Sequence, residues 1–568
     1  MSALDALDDR QREAAAVLRG PVAVLAGAGT GKTRVITHRI AHGVETGAYS
    51  PGRVMAVTFT AKAAGELRGR LRALGVSGVA ARTFHAAALA QLNFFWPQLA
   101  GAPAPGIVDN KVRLLGQAAE GLRMRLDTAT LRDAASAIEW RKVSMISIDE
   151  AAARGRSVGR LDAAALADLS RAYEALKDER HRLDFEDVLL ACAGMLEAEA
   201  RVAAAVHEQY RHFTVDEFQD VSPLQNRLLE LWLGDRRDLC VVGDASQTIY
   251  SFAGADQRFL LEFERRFQDA TVVRLETNYR SAAPVLAAAN ALMHGRPGAL
   301  ELVPARAYPA AEPPVVTAHD SDAEEAAAIA RDVAGRIAAG TPAQEIAVLY
   351  RVHSQSAALL SAFAAQHVAV TVLGGKRFFD MPEVRQAVLA LRGAAVAPIE
   401  NGFLAAVRDV LRGLGFSDEP PAAGGALRDA WEARRALYQL AEDAPAGTTL
   451  RSFGDELLAR AKDQHEPTLQ TVTLSTLHAA KGLEWSHVHL AGWSEGLLPI
   501  SYATGFDAID EERRLAYVGI TRAARTLCVS WSRESARAQR RPSRFLEEIG
   551  SGTLRESAPR ATSGSRRR

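Results

Sequence analysis

The chain has 568 residues, too many for one hydrophobic core, so several domains are expected. Apolar residues make up 48% and charged residues 24%, an ordinary globular balance, and no apolar run has the length of a bilayer span. Formal net charge is zero, so composition neither announces nor excludes a polyanionic partner, because a basic groove can be balanced by acidic surface elsewhere. Cys192, Cys240 and Cys528 are far apart and flanked by apolar residues. They read as buried thiols of a reducing compartment, not as disulfides or a zinc site. With no signal pattern in MSALDALDDRQRE, a cytoplasmic location and no membrane association are expected.

Short β-rich runs recur between helical stretches: VAVLAG (22–27), VMAVTF (54–59), FTVDEF (213–218), LCVVGD (239–244) and TVVRLE (271–276). EIAVLYR (345–351), TVTLST (471–476), HVHLAG (487–492) and TLCVSW (526–531) follow later. Strands alternating with helices predict α/β architecture with parallel sheets. The strands fall into two sets, before about residue 277 and after about residue 345, so two α/β units are expected. Residues 86–183 and 381–470 are helical in pattern and read as insertions. In the second, Leu427, Trp431 and Tyr438 share a helix face, most simply a packing stripe. The Ser-, Gly- and Arg-rich tail 550–568 is expected to be disordered.

Two motifs carry chemistry on their own. AGAGTGKT, comprising Ala26, Gly27, Ala28, Gly29, Thr30, Gly31, Lys32 and Thr33, follows an apolar run and precedes a helical pattern beginning at Arg34. Strand, glycine-rich loop and helix is the context of a phosphate-binding loop, and it argues against an ordinary glycine-rich turn. Glycines let backbone N–H groups turn toward phosphate oxygens at the positive end of the helix. Lys32 would reach the β and γ phosphates, and Thr33 would hold Mg²⁺. The second motif is FTVDEFQD (213–220), where Asp216 and Glu217 stand side by side behind an apolar run. Adjacent carboxylates repel unless a cation lies near them. Paired with the loop, Asp216 would hold the Mg²⁺ shell while Glu217 orients or deprotonates the attacking water.

Further motifs narrow the reading. VDEFQD, VVGDASQTIYSFAGA (241–255), LETNYRS (275–281), VTLSTLHAAKGLEW (472–485) and EERRLAYVGITRA (511–523) resemble the UvrD/Rep/PcrA family of superfamily-one DNA helicases, in the family's order. The likeness runs from LDDRQREAA (7–15) to RPSRFLEEI (541–549). It implies two RecA-like P-loop NTPase domains: 1–85 with 184–277 as the ATP-site domain, and 278–380 with 471–549 as the second. Residues 86–183 and a reduced 381–470 would be their helical insertions. It also implies ATP and Mg²⁺ as cofactors. Gln11 would read adenine, Tyr279 would stack on the base, Glu484 would meet the ribose, and Gln247 would contact the γ-phosphate. Arg280 and Arg522 would be arginine fingers.

The implied partner is single-stranded DNA or a 3′-tailed duplex, tracked 3′→5′ in repair or replication by a monomer or weak dimer, with repair proteins as partners. Thr58, Phe59, Thr60, Lys62, Thr83, Phe84, His85, Tyr250, Phe252 and His478 are the candidate strand contacts. Thr60 would equally cap the following helix, and each aromatic has core packing as its alternative. Arg533, Arg537, Arg540, Arg541 and Arg544 read either as phosphate contacts or as solvated basic surface. Two departures stand out. Ala253 occupies a position where relatives usually carry arginine, and the second insertion is short, as in abbreviated members from high-GC actinobacteria. A translocase that strips proteins from DNA or unwinds only with a partner is the alternative, and a non-enzymatic nucleotide switch is a third, which the acid pair argues against.

Overall fold

A computed structural model of the chain describes residues 2–159, 161–306, 311–373, 379, 381–395, 402–419, 426–442, 444–445, 447–463, 470–534 and 539–557. The chain divides into two compact units, residues up to 276 with 296–300, and 277–295 with 301 onward. No helix among the described residues is long and apolar enough to cross a membrane.

The first unit is built on a parallel sheet. Its strands run in the spatial order Ala80–Thr83, Val54–Thr58, His212–Val215, Leu239–Gly243, Val22–Ala26 and Thr271–Leu275. Runs such as VAVLA and LCVVG are apolar at nearly every position because helices cover both sheet faces. Parallel strands point one way, so the turns after Ala26, Thr58, Thr83, Val215 and Gly243 all open at one sheet edge. Ala80–Thr83 is a strand that the sequence pattern does not announce, since AART carries little apolar or β-branched signal.

On one face the helices Phe84–Ala100, Phe185–Ala198 and Pro223–Leu233 pack over Phe213, Val215 and Val241. Trp232 is fully buried there, its indole N–H donating to Gln91 Oε1 at 2.9 Å. The helix Phe84–Ala100 therefore belongs to the sheet core. A separate apolar core, with Leu115, Ala134, Ile138, Leu169 and Tyr173, lies further along the predicted insertion.

That helical core is joined to the sheet-packed helix Phe185–Ala198 by buried ions. Lys142 Nζ lies 2.8 Å from Asp184 and 2.6 Å from Asp187, Lys111 contacts Glu186 at 2.5 Å, and Lys177 pairs with Asp187. Tyr173 donates its hydroxyl to Asp184 at 3.1 Å. Burial opposes ionisation of Asp184, but the three lysines outweigh it and hold the carboxyl far below the usual carboxylate range.

The second unit carries a parallel sheet in the order Val370–Val372, Val472–Thr476, Ile346–Tyr350, Trp485–Leu490, Ala523–Glu534, Val315–Ser321 and Arg555–Ser557. Between strands Val370–Val372 and Val472–Thr476 in sequence lies a small helical body with its own core of Val384, Leu391, Val407, Leu411, Leu437, Phe453 and Leu457. Trp431 and Tyr438 flank Phe416, at ring separations of 5.8 and 5.9 Å, as a packing stripe should. The side chain of Leu427 lies outside the described residues.

The expected disorder of 550–568 is corrected for its first part. Arg555–Ser557 pairs in register with Val315–Thr317, and Leu554 is buried. An unpaired sheet edge recruits backbone without regard to side-chain composition, which is why a Ser/Gly/Arg-rich stretch concealed a strand. Residues from 558 lie outside the described set. Cys192 and Cys240 are buried as expected, but Cys528 is only partly so.

Removing Lys142 leaves Asp184 and Asp187 buried with fewer counter-charges. Lys142→Ala should destabilise the insertion by about 3–5 kcal/mol, read as a lower first transition by calorimetry.

Candidate functional site

The loop after Val22–Ala26 needs two left-handed residues, and glycines supply both, Gly29 at φ 69° and Gly31 at φ 87°. Thr30 Oγ1 donates to Gly27 O at 2.9 Å and braces the turn. Helix Lys32–Glu45 starts directly from Gly31, so its first N–H groups face the loop. Lys32 Nζ donates to Ala26 O at 3.3 Å, which folds the ammonium back across the loop. Gln11, buried behind the Asp8 capping box, donates Nε2 to Thr30 O at 2.9 Å, and a Cβ on Gly31 would meet that Nε2 at 2.8 Å. Arg34 donates to Ala6 O. Thr33 lies on the first turn, and Ala28 is buried.

Asp216 and Glu217 follow the strand His212–Val215 and are partly buried. Asp216 Oδ1 accepts the Glu217 N–H at 3.0 Å, and Glu217 itself adopts φ 51°, a strained conformation for a side-chain-bearing residue. Desolvation first, then repulsion by Glu217, push the Asp216 carboxyl up, while Lys32 opposes both. Burial likewise raises Asp244, again against Lys32. One ammonium thus serves several acids.

Gln219 and Asp244 were not among the expected site residues. Gln219 Nε2 donates to Glu217 Oε2 at 2.5 Å, and its Oε1 accepts the Asp244 N–H at 3.0 Å. Asp244 Oδ2 in turn accepts Gln247 Nε2 at 2.8 Å. This chain of bonds joins the acid pair to Gln247 across two adjacent strand ends. The available sequence signal was the polar pair QD one residue after the acids, and a lone Asp after LCVVG.

Beyond Gln247 the same sheet edge presents aromatic rings. Phe59, 44% exposed, stacks on Tyr250 at 5.5 Å, and Phe252, 64% exposed, meets Tyr250 edge-on at 6.1 Å. Lys62, on the first turn of the helix that follows Phe59, is exposed. Thr60 Oγ1 accepts the Ala63 N–H at 3.1 Å and Thr83 Oγ1 the Ala86 N–H at 3.2 Å, so both cap helices, while Thr58 is buried and donates to Thr60 O. Phe84 is corrected: it is 4% exposed and stacked on Trp232 at 5.8 Å, so its ring offers no open face and serves the core. His85 packs at 4.7 Å against Phe185, a ring 58% exposed that sequence reasoning passed over. LDFED reads as a helix start, and only the partner ring marks it as more.

In the second unit, Arg280, Glu484 and Arg522 come together. Arg280 Nε contacts Glu484 at 2.5 Å, and its Nη1 donates to Thr521 O at 3.2 Å. Arg522 is buried, donating Nε to Val518 O at 2.9 Å and another guanidinium nitrogen to Leu483 O at 3.0 Å. Tyr279 is 41% exposed. Burial lowers His478 to about 4, with Arg351 and Lys481 adding to the effect. Arg533 pairs with Asp320, Arg540 with Asp322 and Arg544 with Glu495, so these cations are already engaged. Arg537 lies outside the described residues.

A glycine loop at a helix N-terminus, a lysine folded over it and a carboxyl pushed up by burial and by its acidic neighbour fit a magnesium nucleotide. Thr33 and Asp216 would be its metal ligands. Loop, acids and parallel sheet together define a P-loop NTPase of RecA-like architecture. Residues 7–268 match the UvrD/REP helicase N-terminal domain, and residues 273–398 and 429–534 match the UvrD-like helicase C-terminal domain. The ATP-dependent DNA helicase UvrD2 of Mycobacterium tuberculosis is 46% identical over 580 residues, covering 97% of this chain and 83% of the relative. The ATP-dependent DNA helicase Rep of Escherichia coli is 29% identical, with 96% and 94% covered. The chain belongs to the UvrD/Rep helicase family.

Burial holds the His85 imidazole at about 4. Unfolded histidine titrates near about 6.5, so below that pH the unfolded chain binds the proton that the folded one refuses. The contribution is therefore complete above pH 6.5 and is lost as pH falls toward 4, by about 2 kcal/mol between pH 7 and 5. His85→Gln should flatten the fall in thermal midpoint over that interval.

Proposed function

We propose that this chain is an ATP- and Mg²⁺-dependent DNA helicase that tracks 3′→5′ along single-stranded DNA in repair or replication, in the cytoplasm. The single observation that carries this is the bonded path Glu217–Gln219–Asp244–Gln247, which runs from the phosphate-side acids to Gln247, three residues before Tyr250 and the exposed ring of Phe252 that meets it. We assign 1–85 with 184–277 and 278–380 with 471–549 as the two motor domains, and 86–183 and 381–470 as their insertions. The names of the two relatives, each an ATP-dependent DNA helicase, support the ATP and DNA part of this reading.

When bound, the magnesium nucleotide supplies the phosphoanhydride whose cleavage drives the cycle. The loop N–H groups of residues 27–33 and the Lys32 ammonium bind phosphate, and Gln11 and Tyr279 select the base. Glu217 takes the proton of the attacking water, and its strained backbone fixes where that carboxylate points. Gln247 carries the phosphate state to the ring surface. Arg280 and Arg522 are assigned as arginine fingers, a role worth about 10³–10⁵ in rate. Phe59, Tyr250, Phe252 and Phe185 would stack on bases, at about 1–3 kcal/mol each, with Lys62, His85 and His478 beside the strand. Thr60 and Thr83 are committed to their caps first.

Lys32→Ala should lower DNA-stimulated ATPase by at least about 100-fold while DNA binding stays within a few-fold. Retained ATPase would refute the site. Unwinding of a 3′-tailed duplex, with none of a 5′-tailed one, tests polarity. The second reading, a translocase that needs a partner to unwind, draws on Ala253 and the small second insertion. It is supported if the purified chain hydrolyses ATP on single strands but opens neither substrate. Under that reading Ala253→Arg should increase affinity for single-stranded DNA.

A further inference from the structure

We propose that Asp332, His489 and Cys528 form a zinc-binding site on the second unit, whose cation position Arg336 fills with its own guanidinium until metal displaces it. His489 and Cys528 are register partners on the adjacent parallel strands Trp485–Leu490 and Ala523–Glu534, so their side chains leave the same sheet face. Helix Asp322–Ala338 packs on that face and brings Asp332 down to them. His489 Nε2 lies 3.2 Å from Asp332 Oδ2. The three donor atoms lie within 4.8 Å of one another. Tetrahedral zinc, with bonds of about 2.0–2.3 Å, needs its ligands roughly 3.3–3.8 Å apart, so small side-chain rotations close the set. A nitrogen, an oxygen and a sulfur suit zinc, whereas magnesium and calcium take oxygens.

Arg336 shows that the place already favours a cation. One turn along the helix from Asp332, it donates Nε to Asp332 Oδ2 at 2.7 Å and a terminal nitrogen to Cys528 Sγ at 3.7 Å. Its side chain is 26% exposed, so it can swing to water, and Asp332, at 48%, leaves an entrance. His489, at 7%, is the fixed corner. On binding, Arg336 moves to solvent, the Cys528 thiol releases its proton to solvent, the proton that His489 Nε2 directs at Asp332 passes to Nδ1 so that the Nε2 lone pair faces the metal, and water completes the shell. The sequence spacing, which lacks any Cys–Cys pair, conceals the arrangement because its ligands come from three elements.

The site is independent of the nucleotide reading and is tested without nucleotide. The full chain, stripped with chelator, is titrated with Zn²⁺ against a chromophoric competitor, and with Co²⁺ as a spectroscopic probe. One equivalent should bind, with a thiolate-to-cobalt band in the near ultraviolet. Cys528→Ser should remove the band and weaken zinc by at least about tenfold. Arg336→Gln, which removes the competitor, should tighten zinc several-fold. Asp332→Asn, at the exposed corner, should weaken it without affecting circular dichroism. No band in the unaltered chain, zinc binding indifferent to Cys528→Ser, or an Arg336→Gln variant that binds no tighter would overturn the proposal.

Discussion

Burial drives the carboxyls of Asp216 and Asp244 toward their neutral forms, and the Lys32 ammonium opposes that drive at both. That imbalance is the constraint on which the first unit depends. In the low dielectric of a strand end, a carboxyl stays ionised only where nearby cations and hydrogen-bond donors offset its lost solvation. A divalent cation held near Thr33 and Asp216 would favour the charged form of the Asp216 carboxyl. Gln219 manages the same tension locally, giving one hydrogen bond to Glu217 and taking one from Asp244, so that two adjacent strand ends share one polar fabric.

The same fabric reaches the helical insertion through packing. A Cβ on Gly254, at the end of the ring-bearing turn, would come within 2.5 Å of Val143 Cγ2 at the end of helix Thr128–Val143. The residue before Val143 is Lys142, the centre of the buried ion cluster. The turn carrying Tyr250 and Phe252 therefore rests on a helix that is itself anchored to the sheet by buried charge. Ion clusters of this kind hold orientation more than they add net stability.

Much of the sheet was legible because buried parallel strands are nearly continuous apolar runs. VAVLA, VMAVT, LCVVG and IAVLY announce themselves, and each lies where it was expected. AART and the Arg555–Ser557 edge did not, because backbone pairing leaves little mark on composition. Phe84 shows the same limit from the other side. The resemblance offered it as a strand contact with core packing as the alternative, and helix phase turns it onto Trp232.

By itself the sequence determined the phosphate loop, the acid pair and the order of motifs, since these depend on residue type at close spacing along one strand–turn–helix segment. Tertiary structure decided the rest. It made Gln219 and Asp244 the connectors between strand ends, turned Phe185 toward His85, and set Asp332, His489 and Cys528 around Arg336. The physical reason is distance: such contacts join residues tens to hundreds of positions apart, and no local periodicity records which strand will lie beside which.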